Sequence, residues 1–242
     1  MNKRITVSGL LVLIVIGGFF TIMFASCSIS NRTMGQKSQD MEKFMTDTID
    51  GVYIPADLDD CFTQIDGFWN DSTKTVVKSW SEDEFIANTH FGIGMWMRNN
   101  WRLWGGSRLS KYFNELGIFH PDDMSSIILT GYHRYLNGEE IKLQQQIDYH
   151  KAYWLVMQEP KRETYPKGVY RIKFDTKIFY NLKENNMPGC VHIQSNSRTD
   201  NTWIYDYHFG WKKLTEEELD ELEDADPDKR EEILLKLFNQ KQ

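Results

Sequence analysis

The sequence predicts an α+β fold, and three observations point to it. Apolar residues recur at helical spacing from Leu58 to about Gln158. From Val169 to Phe209 the pattern changes to alternation with period two. From Leu214 the chain turns acidic but keeps helix-starting signals. Aromatic residues make up 14% of the 242 residues, enough apolar area for a globular core and against disorder.

The N-terminus stands apart. Lys3 and Arg4 precede Ile5 to Ala25, a run of twenty-one residues without a charge. As a helix it reaches about 30 Å, the thickness of a bilayer core. The preceding positive charges keep the N-terminus in the cytoplasm, so the rest is expected outside it, in the cell envelope. Ala25-Ser26-Cys27 resembles a lipobox, in which Cys27 is lipidated and the segment before it is lost; Phe24 departs from the usual aliphatic residue. The run is also long for a signal peptide, so an uncleaved transmembrane anchor is the alternative. Both give the same topology, with the membrane as a partner through residues 1–27.

Residues 28–52 are mostly polar and read as a tether. A helical domain is expected over 53–158. Leu58, Cys61, Phe62 and Ile65 form one helical stripe. Ser81 to Glu84 is a capping box that starts a helix running into HFGIGMWMRNNWRLW. On an ideal helix Phe85, Thr89, Ile93, Trp96 or Met97, and Trp104 share a face, with Trp96 and Trp104 as core. Gly92 and Gly94 suggest a kink or a close crossing. Ser107 can cap a short helix that stops at Gly117. Pro121, Asp122 and Asp123 start another, ended by Asn137-Gly138, and a last one runs from Glu139 or Glu140 to about Gln158.

A small antiparallel β subdomain is expected over 159–213, with strands at 169–174, 176–180, 190–194 and 202–209 and the helical body as its cover. The acidic tail, 214–242, holds eleven Asp or Glu against four Lys or Arg. Thr215 to Glu218 is a capping box, and Asp226-Pro227 starts a second helix that turns Ile233, Leu234, Leu237 and Phe238 inward. A docked helical hairpin is the plain reading, and an acidic interaction arm is the other. The chain lacks the basic field that nucleic acid needs. Cys61 and Cys190 are either a pair or two buried thiols. No ligand spacing suggests a metal, and no motif suggests a cofactor.

The segment His90 to Gly106 holds three Trp, two Arg, two Asn and a His. His90, Arg98, Asn99, Asn100, Trp101 and Arg102 are the candidate ligand-binding residues, a polar patch framed by aromatics that suits a carboxylate, a phosphate or a glycan. The plain alternative is that the arginines pair with Asp59, Asp60 or Asp123 and fasten helices. HFG-x-G-M-W-x-RNN-W-x-LW, followed by Ser107 to Leu129, resembles uncharacterised domains of bacterial proteins common in the Bacteroidetes, over about residues 53–140. The resemblance implies no activity, ligand or catalytic residue.

Catalytic patterns are sparse. No nucleophile motif or phosphate loop is present, and 90–106 contains no Asp or Glu. The expected function is therefore a membrane-tethered, non-catalytic binding or interaction module, with an envelope protein or glycan as partner. A hydrolase acting on envelope polymers or glycans through carboxylates is one alternative, and an immunity or inhibitor-type protein is another.

Overall fold

The computed structural model describes residues 44–167, 169, 174, 176–196 and 201–239. The apolar run, Cys27 and most of the strand expected at 169–174 lie outside them. Among the described residues no helix is long and apolar enough to cross a membrane. The fold is α+β. It divides into two compact units: one runs through Glu115 and again over Phe119–Glu139, and the other takes Leu116–Ile118 and everything from Glu140.

The first unit opens with a small hairpin, β1 (Thr48–Ile49) against β2 (Val52–Tyr53), at the end of the expected tether. Asp50 and Gly51 both have positive φ, the backbone that a two-residue hairpin turn requires. Helix α1 (Leu58–Phe68) follows, capped by Asp57, and buries Leu58, Cys61, Phe62 and Ile65 as its spacing predicts. The sequence reading missed α2 (Asp71–Lys78), whose start is marked by the Asn70 side chain accepting from Thr73 N. The capping box at Ser81 starts α3 (Glu82–Thr89), which passes through a π-helical turn, His90–Gly94, into α4 (Met95–Asn100). After α5 (Arg108–Glu115) comes α6 (Pro121–Asn137), ended by Gly138 in the left-handed conformation. Helix α6 is the hub: α1 to α5 all pack on it. Its buried apolar side chains include Met124, Ile127, Ile128, Leu129 and Tyr132.

In the second unit, β3 (Thr176–Asn181), β4 (Pro188–Asn196), β5 (Asn201–Asp206) and β6 (Gly210–Leu214) form an antiparallel sheet in sequence order. The strand expected at 202–209 stops at Asp206. There a side-chain oxygen accepts from His208 N and Phe209 N and folds the chain into a hairpin. The sheet finds its cover inside its own unit. Ile178, Tyr180, Val191, Ile193, Ile204 and Leu214 pack against Leu222 of α8 (Glu216–Glu223) and Leu234 and Leu237 of α9 (Pro227–Asn239). The acidic tail is thus a docked hairpin. On β4, α7 (Leu143–Val156) packs with the Val156 carbonyl 2.8 Å from His192 Nε2. Helix α7, expected within the helical body, therefore belongs with the sheet. Cys61 and Cys190 are buried free thiols. Burial pushes the Cys190 thiol up to about 11 and raises Cys61 too, so both stay protonated and unreactive.

Candidate functional site

The π-helical turn sets which residues of 90–106 face the core. An i→i+5 turn holds one more residue than an α-turn, so everything after it is rotated. The buried stripe runs Phe85, Thr89, then Gly94, then Met97 and Arg98, then Trp101. The step of five from Thr89 to Gly94 is the slip. Ile93 loses the place that even helical spacing assigns it, and Trp96 falls off the stripe; Trp104 lies beyond the end of α4, after the positive φ of Arg102. Trp96 is 37% exposed and Trp104 59%, which corrects the expectation that they are core; Trp101, at 1%, takes that role. Gly94 stands where α6 comes close: a Cβ there would lie 3.3 Å from Leu129 Cδ1 and from the Thr89 carbonyl oxygen. At Gly92 a Cβ would meet open space.

Arg98 fastens the slip. Its guanidinium donates to Ser125 Oγ at 2.8 Å and to the His90 carbonyl at 3.3 Å, and its Nε lies 3.0 Å from Asp122 Oδ1. At 6% exposure every face of the fork is engaged, so this arginine ties the π-turn to the start of α6. His120 caps that start by accepting from Asp122 N at 3.3 Å, and Trp104 meets the His120 ring edge to face at 5.4 Å. The expected helix-fastening role of Arg98 is thus met through Asp122.

The other candidates scatter. Asn100 donates back to the Trp96 carbonyl at 2.9 Å and Asn99 is exposed. His90 is half-buried, with its ring against Phe91 at 4.8 Å. Arg102 has φ +54, projects into solvent and pairs with Asp50 of the hairpin turn. The structure therefore joins Arg98 to the His90 backbone but does not gather the six residues into one patch.

It assembles two surfaces instead. One is an open, mostly apolar cleft of about 480 Å³ lined by Phe68, Trp69, Gly92, Ile93 and Trp96. Phe68 stands edge-on to Trp96 at 4.9 Å, and Phe91 beside Gly92 is 77% exposed. Beneath the cleft, Trp69 packs on Phe85 and Tyr132, so its wall is continuous with the core. Tyr132 donates to Asp66, which Lys74 also contacts at 2.8 Å; burial and the carboxylate raise the phenol, while Lys74 lowers the acid. The second surface is a pocket of about 310 Å³ lined by Ile49, Asp50, Arg102, Gly105 and Gly106. The sequence reading named neither Phe68 and Trp69 nor Ile49 and Asp50. Two signals were available: Phe68-Trp69 follows the α1 stripe without belonging to it, and Asp50-Gly51 sits between short pairs of β-branched or aromatic residues as hairpin turns do.

A family model described as a domain of unknown function (DUF6794) matches residues 54–136. The match runs from Ile54 into α6, over the part of the first unit that carries the cleft, and leaves the sheet and the acidic hairpin outside. No curated protein and no solved structure matches the chain.

Proposed function

We propose that this chain is a non-catalytic binding module of a bacterial cell envelope, held at the membrane by the run Ile5 to Ala25 or by a lipid on Cys27, that takes up glycan material in the cleft beside the π-helical turn. The cleft carries the reading. Large apolar side chains at a surface usually mark an interaction site when they are contiguous. Phe68, Trp69 and Trp96 are contiguous, and they line an open cleft. Flat, apolar ring faces stack on the C–H faces of sugars, and Gly92 leaves the backbone open to close approach. The apolar N-terminal run supports the envelope setting, because basic residues ahead of such a run are the pattern that leads the following chain out of the cytoplasm.

Cosedimentation of the detergent-solubilised full chain with purified cell-wall sacculi tests this. Replacing both Phe68 and Trp96 with Ala is expected to reduce retention about tenfold or more, as loss of central aromatic anchors does. Retention unchanged in the double variant, or absent in the wild type, overturns the reading.

A further inference from the structure

We propose that the pocket between the Asp50-Gly51 turn and the Gly105-Gly106 loop is a second subsite, built for a neutral, hydroxyl-rich ring. It rests on the proposed function only in taking glycan as the material at hand; its residues are not those of the aromatic cleft. The cavity, about 310 Å³, falls in the size range of small-ligand sites. Its polar equipment is one ion pair, Arg102 with Asp50, and both side chains are substantially exposed, 49% and 68%.

That pair decides the class of ligand. An anion drawn to Arg102 meets the Asp50 carboxylate, and a cation drawn to Asp50 meets the guanidinium. A hydroxyl satisfies both: it donates to the carboxylate and accepts from the guanidinium, and adjacent hydroxyls on a ring can do so together. The rest of the lining fits a ring. Gly105 and Gly106 offer backbone without side chains, and the Phe44 ring lies 3.4 Å from where a Gly106 Cβ would stand. Ile49 supplies another apolar wall.

The fold itself has little use for this arginine. An exposed ion pair adds almost nothing to stability. At φ +54 the backbone of Arg102 sits in a region that glycine occupies freely and side-chain-bearing residues rarely do. An arginine held there is explained by what its side chain contacts.

Three forms of the full chain, in an amine-oxide detergent free of sugar and phosphate, test the subsite. The probes are the β-1,4 dimer of N-acetylglucosamine, read by saturation-transfer NMR, and inorganic phosphate, read by phosphorus line width. The wild type is expected to transfer saturation to the dimer at roughly millimolar concentration and to leave phosphate sharp. R102G deletes the guanidinium and relieves the backbone, so it is expected to keep its thermal midpoint and, when combined with F68A and W96A to remove the share of the cleft, to lose the transfer about tenfold. D50N frees Arg102 from its counter-charge; it is expected to weaken the dimer and to broaden phosphate in a salt-dependent way. Transfer undiminished when R102G is added to F68A and W96A, phosphate broadening by the wild type, or no transfer to the wild type overturns the subsite. A fourth form, F68A with W96A, separates the two sites: transfer that survives in it and vanishes when R102G is added to it belongs to this pocket, whatever becomes of the cleft.

Discussion

Trp101 and Arg98 lie within a few residues of Trp96, Trp104 and Arg102, yet the two sets meet different solvents. The first pair is sealed from water, with Trp101 in the core and Arg98 spread over Ser125, Asp122 and the His90 carbonyl. The second set stands in water, with Trp96 on the cleft and Arg102 at the mouth of the glycine-floored pocket. Residue type does not separate them, since each has a Trp and an Arg. What separates Trp96 from Arg98 and Trp101 is phase around the helix, reset by the π-turn at His90–Gly94; Arg102 and Trp104 lie past the end of α4, where the positive φ of Arg102 turns the chain outward. A tryptophan here is a core residue or a binding residue according to one extra residue in a turn.

The widest gap between the two sets is expected at the tryptophans. Trp101→Ala should cost about 3–5 kcal/mol, the usual loss for a buried large aromatic. Trp96→Ala should cost under about 1 kcal/mol, because much of the ring is already hydrated. Urea denaturation measures both; equal losses would erase the distinction. The arginines come next. Arg98→Ala should lose about 2–3 kcal/mol, since Ser125 and the His90 carbonyl lose a charged donor inside the fold. Arg102→Ala should change stability by less than about 0.5 kcal/mol. Arg98→Lys should recover only part of the loss, because an ammonium cannot span three partners with a planar fork. Thermal melts of the three variants check this, and full recovery by Lys would reduce Arg98 to a simple charge.

The glycines sharpen the same contrast at smaller cost. Gly94→Ala pushes a methyl to 3.3 Å from Leu129 and the Thr89 carbonyl, and should cost about 1–3 kcal/mol. Gly92→Ala meets open space and should be neutral or stabilise by up to about 1 kcal/mol. Calorimetry of the pair tells whether close approach, rather than helix propensity, governs the turn.

The smallest expected effect extends the comparison to the second unit. There His192 is fully buried, and the pull of the Glu159 and Asp206 carboxylates does not offset its burial. Burial lowers the His192 pKa below its ordinary value near 6.5, so the folded state favours the neutral ring. The stability this gives is present above pH about 6.5 and is lost as pH falls through the folded pKa. Asp206 acts in the opposite sense. Burial raises its pKa, so its contribution is full below about 3.8 and is lost as pH rises through the raised value. His192→Gln, whose side-chain amide can still donate toward the Val156 carbonyl, should flatten the fall in stability between pH 7 and pH 5. An unchanged slope would place the acid sensitivity elsewhere.

Much of the frame was legible from local signals. The capping boxes at Ser81 and Thr215, the proline start at Pro121 and the stop at Gly138 are short-range chemistry, and each sits where its motif places it. The stripe Leu58, Cys61, Phe62 and Ile65 is buried as its spacing requires. Period-two alternation marked the sheet, although the turn at Asp206 hid inside a run that still alternates. Helix α2 was missed because DSTKTVVK is short and its only apolar residues, Val76 and Val77, stand side by side, so no stripe repeats at helical spacing.

By itself, then, the sequence determined the α+β class, the starts of the capped helices, the apolar N-terminal run and the helices of the acidic tail. All of these follow from contacts within a few residues or from a sustained period. Only the tertiary structure decided the fate of the segment His90 to Gly106. The π-turn forms because Gly94 lets Leu129 of α6 come close and because Arg98, bound to Ser125 and Asp122 on that helix, takes up the His90 carbonyl. Those partners lie about thirty residues further along the chain, so the spacing within 90–106 carries no record of them. The same distance hid the pocket, since Asp50 and Arg102 are fifty-two positions apart and meet only once the hairpin has folded beside the glycine loop.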